Sequence, residues 1–203
     1  MTTTDSVFNT LKAGISVYES NCTIDDNLIN AVTPYPICVG ISDIHIINVI
    51  ICHNTIRHYG RTYQGAINLL ETCSNIVISN NEFWVEGSDD YGVSIRAATD
   101  DLLITNNQMD GGAGMINFLD SRQGVYRNIK INGNNVNTTL FFAVTNIPNA
   151  IVEDIVFSNN YVTLSKGNYQ KDAILVKSNE QKLRSVFQVN GNIESNGIKF
   201  NGK

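Results

Sequence analysis

Asn75-Ile76-Val77-Ile78-Ser79-Asn80-Asn81-Glu82-Phe83 is the stretch whose reading decides the fold. Apolar residues at its second and fourth positions alternate as in a short strand with one buried face. A turn rich in asparagine follows, and the ninth position returns to an apolar residue. The same unit recurs as NCTIDDNLI at 21–29, NVIICHNTI at 48–56, DLLITNNQM at 101–109, NIKINGNNV at 128–136 and DIVFSNNYV at 154–162. Successive units start 27, 27, 26, 27 and 26 residues apart. Position 1 is always Asn or Asp. Position 7 is Asn in all six units: Asn27, Asn54, Asn81, Asn107, Asn134 and Asn160.

A period of about 26 residues holds three short strands and their turns, with no room for a helix as well. Further strands are legible at Ile37–Val39, Ala66–Leu69, Val93–Ile95, Met115–Phe118, Phe142–Val144 and Ile174–Val176. Asn suits turns because it adopts left-handed or bridge dihedrals and bonds nearby backbone, and position 7 is expected to do so. Stacked once per turn, the six side chains are expected to bond one another in a ladder. The prediction is an all-β, right-handed, single-stranded parallel β-helix over residues 15–192.

Composition agrees. The chain has 203 residues, with 28 Asn and 25 Ile against 3 Pro, which disfavours helix and favours strand. A net charge of −5 and an isoelectric point near 5.1 weigh against binding nucleic acid through its phosphates. No apolar run reaches the length of a membrane span, so no membrane insertion is expected. The first residues lack the basic and apolar segments of a secretory leader. Cys22, Cys38, Cys52 and Cys73 contain no C-x-x-C pair and read as buried free thiols, a structural disulfide being the alternative.

The ends of a solenoid need covering. Residues 1–14 are expected to form an N-terminal cap with a short helix, because Val7, Phe8 and Leu11 share a helical face and Gly14 can end it. At the other end the phase breaks after Val162, and 193–203 reads as a tail.

The stacked N-x-x-I-x-N-N-x-[FIV] units resemble the pectin-lyase-like superfamily over roughly residues 13–190. In outline, Gly87-Ser88-Asp89-Asp90-Tyr91-Gly92-Val93-Ser94-Ile95 followed by Gly111-Gly112-Ala113-Gly114 also resembles the polygalacturonase pattern, whose paired aspartates act as general acid and base. Here the Asp pair stands one residue further from the strand, and Ala113 replaces the histidine of the G-H-G segment. These departures weigh against a working polygalacturonase.

Function is expected on loops and outward faces, because the interior is filled. The segments after position 9 of the second, third and fourth units are predicted to form one patch. They supply Arg57, His58, Tyr59, Arg61 and Tyr63, then Trp84, Glu86, Asp89, Asp90 and Tyr91, then Asp110. Rings stack on sugar faces while guanidinium and carboxylate groups take hydroxyls. Trp84, Tyr59, Arg61, Tyr63, Tyr91, Arg57 and His58 are therefore the expected sugar-binding residues. Asp89, Asp90, Asp110 and Glu86 are the candidates for acid–base work on a glycosidic bond. The lyase alternative uses Arg57, His58, Arg61 or Tyr63 as base, with Ca²⁺ on Asp89, Asp90 and Asp110. Otherwise neither cofactor nor metal is expected, and His45 and His53 read as structural.

Short Asn- and Ile-rich β-helices without a complete catalytic signature resemble bacteriophage tailspikes and tail appendages. That resemblance implies a virion, or otherwise extracellular, protein that recognises bacterial surface polysaccharide. The alternatives are a polysaccharide hydrolase or lyase of the superfamily, and a structural shaft or adaptor that binds no sugar. Position 3 reads Thr23, Ile50, Val77, Leu103, Lys130 and Val156 and should face outward. An apolar stripe of that length predicts an interface, here a homotrimer; the alternative cover is the tail over Ile193–Phe200.

Overall fold

The computed structural model describes residues 1–10, 13–31, 35–40, 44–59, 64–119, 124–138, 140–145, 151–164, 174–176 and 187–194. Every strand pairing in it is parallel, and the strands stack into three sheets of eight, eight and seven strands. The chain visits the sheets in rotation. One coil runs from β10 (Cys73–Ser79) in the first sheet through β11 (Glu82–Val85) in the second to β12 (Tyr91–Ile95) in the third. The next coil lays β13 (Thr99–Thr105), β14 (Gln108–Gly111) and β15 (Gly114–Leu119) beside them. This is the expected parallel β-solenoid. Each of the predicted further strands lies within the third sheet.

Register keeps each position of the repeat in one column. Positions 2, 4 and 9 point inward: Ile76, Ile78 and Phe83 are fully buried, as are Val49, Ile51 and Ile56 one coil earlier. Two positions hold left-handed backbone. Position 1 has φ between 50° and 60° at Asn21, Asn48, Asn75, Asp101, Asn128 and Asp154. Position 6 is left-handed too, with φ of 54–55° at Asp26, His53, Asn80, Asn106 and Asn159 and 66° at Gly133. Position 7, expected to take that conformation, is not among these residues. The left-handed step at position 6 turns the chain inward, so the Asn that follows is buried.

There the ladder forms. The Asn81 Oδ1 accepts both the backbone N–H and the side-chain amide of Asn54, each at 3.0 Å. The Asn81 amide in turn donates to Ile51 O at 2.9 Å and to Asn107 Oδ1 at 3.0 Å. The pattern runs from Asn27 to Asn192, and the Ser6 N–H joins it at the start. A second ladder lies outside, where position 1 amides bond Asn75 to Asn48, Asn48 to Asn21 and Asn128 to Asp101. Left-handed backbone and lateral bonding together account for the restriction of position 1 to Asn and Asp.

Two terminal expectations change. Residues forecast as a capping helix form β1 (Thr2–Thr4), β2 (Val7–Thr10) and β3 (Ala13–Val17), which pair with the next coil, and no helix occurs among the described residues. Phe8 stands in the same column as Ile29 and packs on the core. Pairing along a whole strand edge outweighs what a single isolated turn of helix offers. At the other end Ile193–Glu194 pairs with the Tyr161–Leu164 strand and so belongs to the coil; residues 195–203 lie outside the described residues.

The sheets differ in what they show to solvent. In the third sheet the Gly65–Leu69 strand is buried on both faces, Ile67 and Asn68 alike. The first sheet presents the position 3 stripe, with Ile50 at 43% exposure, Val77, Leu103 and Val156 half-buried, and Lys130 exposed. The second sheet presents the polar and aromatic residues considered next.

Candidate functional site: the outward face of the second sheet

Position 9 points inward, so positions 8, 10 and 12 point outward along the second sheet. Register places Arg57, Trp84 and Asp110 in one position 10 column, with Asn30 before them and Asn137 after. Beside it Thr55, Glu82, Gln108 and Asn135 form the position 8 column. Tyr59 and Glu86 continue the pairing: the Tyr59 N–H donates to Ala31 O, and the Glu86 N–H to His58 O. Neighbouring rungs lie about 4.8 Å apart. The result is an array in which an exposed indole is flanked along the axis by a guanidinium and a carboxylate. Trp84 is 44% exposed, and Arg57, Tyr59, Glu82, Glu86, Gln108 and Asp110 are exposed as well. Within the array the Asn137 amide donates to Asp110 Oδ1 at 2.7 Å, which orients that carboxylate.

Two residues expected in this patch are not on its surface. His58 occupies the inward column shared by Ala31, Val85 and Gly111, and it is fully buried. Asp90 is also fully buried, where the chain passes from the second sheet to the third. Its Oδ1 accepts the Gln64 N–H at 3.2 Å, and its Oδ2 lies 3.4 Å from His58 Nε2. The two form an internal polar pair. Adjacent residues on a strand face opposite ways, and the tight corner draws Asp90 in while Asp89 stays exposed. The Asp89–Asp90 pair therefore does not present two carboxylates to one groove.

Tyr91 is half-buried; burial, then the charges of Asp89 and Asp90, raise its hydroxyl pKa above the ordinary value of 10.0. Arg61 and Tyr63 lie outside the described residues. Glu82, Gln108 and Asn137 were not singled out from the sequence, although the parity of position 9 points to all three.

Asp89, Asp90 and Asp110 are not gathered within ligand distance of one another; among the described residues Asp25, Cys52 and His53 are, their ligand atoms lying within 4.8 Å of one another. All four cysteines are free and buried, as read from their spacing. Burial and the neighbouring Glu71 charge push the Cys73 thiol up to about 12.

Comparison with protein-family models, curated proteins and solved structures finds no match to this chain.

Proposed function

We propose that this chain is a glycan-recognising β-solenoid of the phage-tailspike type, reading bacterial surface polysaccharide along the outward face of its second sheet. The observation that carries this reading is Trp84, exposed and in register between Arg57 and Asp110. An extended sugar chain laid along the axis meets a ring for its apolar faces and charged groups for its hydroxyls at rung spacing. Burial of Asp90 favours recognition without cleavage, since acid–base hydrolysis requires two carboxylates facing one glycosidic bond. Asp89, Asp110, Glu82 and Glu86 remain the exposed carboxylates for the hydrolase or lyase alternative.

A right-handed coil and kinship with the pectin-lyase-like superfamily belong to the same proposal. Parallel strand crossovers are right-handed in about 98% of cases, which supports the hand. The partly exposed position 3 stripe of the first sheet supports a homotrimer on a virion, because it leaves the second sheet free for glycan. Sedimentation as a monomer at micromolar concentration would remove the trimer.

Trp84 is the chain's single tryptophan, so its fluorescence reports this face alone. Capsule and lipopolysaccharide fragments should alter that emission and bind by calorimetry, with neither new reducing ends nor unsaturated product. Product formation would support the enzyme. Absence of binding across such a panel would support a shaft.

A further inference from the structure

A repeat makes departures informative, because each column records the residue its backbone ordinarily takes. Position 5 reads Asp25, Cys52, Ser79, Thr105, Asn132 and Ser158, and position 6 reads Asp26, His53, Asn80, Asn106, Gly133 and Asn159. Cys52 is the one thiol in the first column. His53 is the one ring in the second, at a left-handed φ of 54° that Asp, Asn or Gly fills elsewhere. The two departures are adjacent in the chain. Both substitute a metal-ligating side chain, and both face Asp25 one rung away, whose backbone is in register with that of Cys52.

The geometry is close. His53 Nδ1 lies 2.9 Å from Asp25 Oδ1, and the Cys52 Sγ lies 3.2 Å from the same oxygen. The three ligand atoms fall within 4.8 Å of one another. Ligands sharing a tetrahedral zinc ion sit roughly 3.3–3.5 Å apart, given legs of about 2.0–2.1 Å to oxygen and nitrogen and 2.3 Å to sulfur. The two pairs to Asp25 therefore need to widen by only a few tenths of an ångström, while Cys52 Sγ and His53 Nδ1, at most 4.8 Å apart, need to stand about 3.5 Å from each other. Cys52 is 9% exposed while the side chains of His53 and Asp25 are 58% and 37% exposed, so the group has a buried floor and an open mouth.

We propose that Asp25, Cys52 and His53 bind one divalent transition-metal ion of zinc type, tying two neighbouring coils together where the first sheet turns into the second. Thiolate, imidazole and carboxylate form a mixed set that suits zinc and cobalt and discriminates against calcium and magnesium. On binding, the thiol proton leaves to solvent and the sulfur replaces it with the metal bond. The three ligands leave a coordination position on the exposed side for water.

The repeat itself supplies benign test variants. Cys52→Ser and His53→Asn install residues that the same columns carry in other coils, so the fold is expected to tolerate both. Reduced protein would be titrated with Co²⁺ and followed by absorbance, then with Zn²⁺ as competitor. The expected result is one Co²⁺ per chain with the near-ultraviolet charge-transfer band of a thiolate–cobalt bond, abolished by Zn²⁺. That band should vanish in Cys52→Ser, while His53→Asn and Asp25→Asn weaken binding at least tenfold. Zn²⁺ should also raise the unfolding temperature of the parent chain and not that of Cys52→Ser. A folded parent chain that develops no such band, or a band that survives in Cys52→Ser, would overturn the site.

Discussion

Replacing Asn81 by Ala removes an interior rung of the buried ladder without touching the apolar core. The wild-type side chain is 1% exposed and makes four hydrogen bonds: two accepted from Asn54, one donated to Ile51 O and one to Asn107 Oδ1. At about 1 kcal/mol net for each bond, their loss comes to about 4 kcal/mol. The Asn54 side-chain amide keeps Ile24 O and Cys52 O, but its backbone N–H loses its partner in a place water does not reach. Against a typical total stability of roughly 5–15 kcal/mol, that is a large fraction. Asn192, partly exposed near the end of the ladder, makes three such bonds, accepting two from Asn160 and donating one to Phe157 O. Water replaces part of what Asn192→Ala removes, so about 1–2 kcal/mol is expected there. Urea unfolding followed by circular dichroism measures both variants, and amide exchange at Asn54 should accelerate in Asn81→Ala alone. Equal costs for the two variants, or less than about 1 kcal/mol for Asn81→Ala, would refute the claim that buried amide ladders hold the coils in register.

Trp84→Ala should weaken glycan binding by roughly 1–3 kcal/mol in calorimetry and leave the unfolding midpoint nearly unchanged, because the side chain lies on the outward face. Gly111→Ala should destabilise by about 1 kcal/mol or more, since Gly111 has φ 86° and a Cβ there would run into the Val85 carbonyl oxygen; thermal unfolding checks this. The Arg127 guanidinium, 2.6 Å from Asp100, hydrogen-bonds that carboxyl and lowers its pKa below the ordinary 3.8. A carboxyl lowered on folding stabilises above its unfolded value and loses that contribution as pH falls through its folded value. Carbon-detected NMR should therefore show Asp100 titrating below 3.8, and Arg127→Leu should bring it back up. In metal-free protein, Cys52, held near 11 by burial and by Asp25, and Cys73, near 12, should resist a thiol reagent at neutral pH. Four thiols should react once the chain is unfolded.

Much of this architecture is written locally and repeated, which is why a single chain sufficed to read it. Apolar residues at positions 2, 4 and 9 with Asn at position 7 specify one coil. Recurrence every 26 or 27 residues then specifies stacking, because no coil buries its face alone. The third-sheet strands were legible for the same reason, and the free thiols from the absence of a C-x-x-C pair. The N-terminal coil was not. Its residues Met1–Phe8 lack the Asn of position 7, Ser6 standing there instead, and Val7, Phe8 and Leu11 fit a helical face as well as a strand.

The patch divides the same way. Which segments lie side by side followed from the repeat alone, so Arg57, Trp84 and Asp110 were brought together by counting. Which side chains of those segments reach solvent was decided by the tertiary structure. A strand shows alternate residues to opposite faces, so a shift of one residue exchanges surface for interior. Trp84 and Arg57 fall on the outward parity, while His58 falls on the inward one. At the following corner, parity no longer applies, and the backbone path alone sends Asp90 inside and leaves Asp89 out. The cluster of Asp25, Cys52 and His53 belongs to both accounts: their types are plain in the sequence, but a separation of one whole coil becomes contact only when the coils stack.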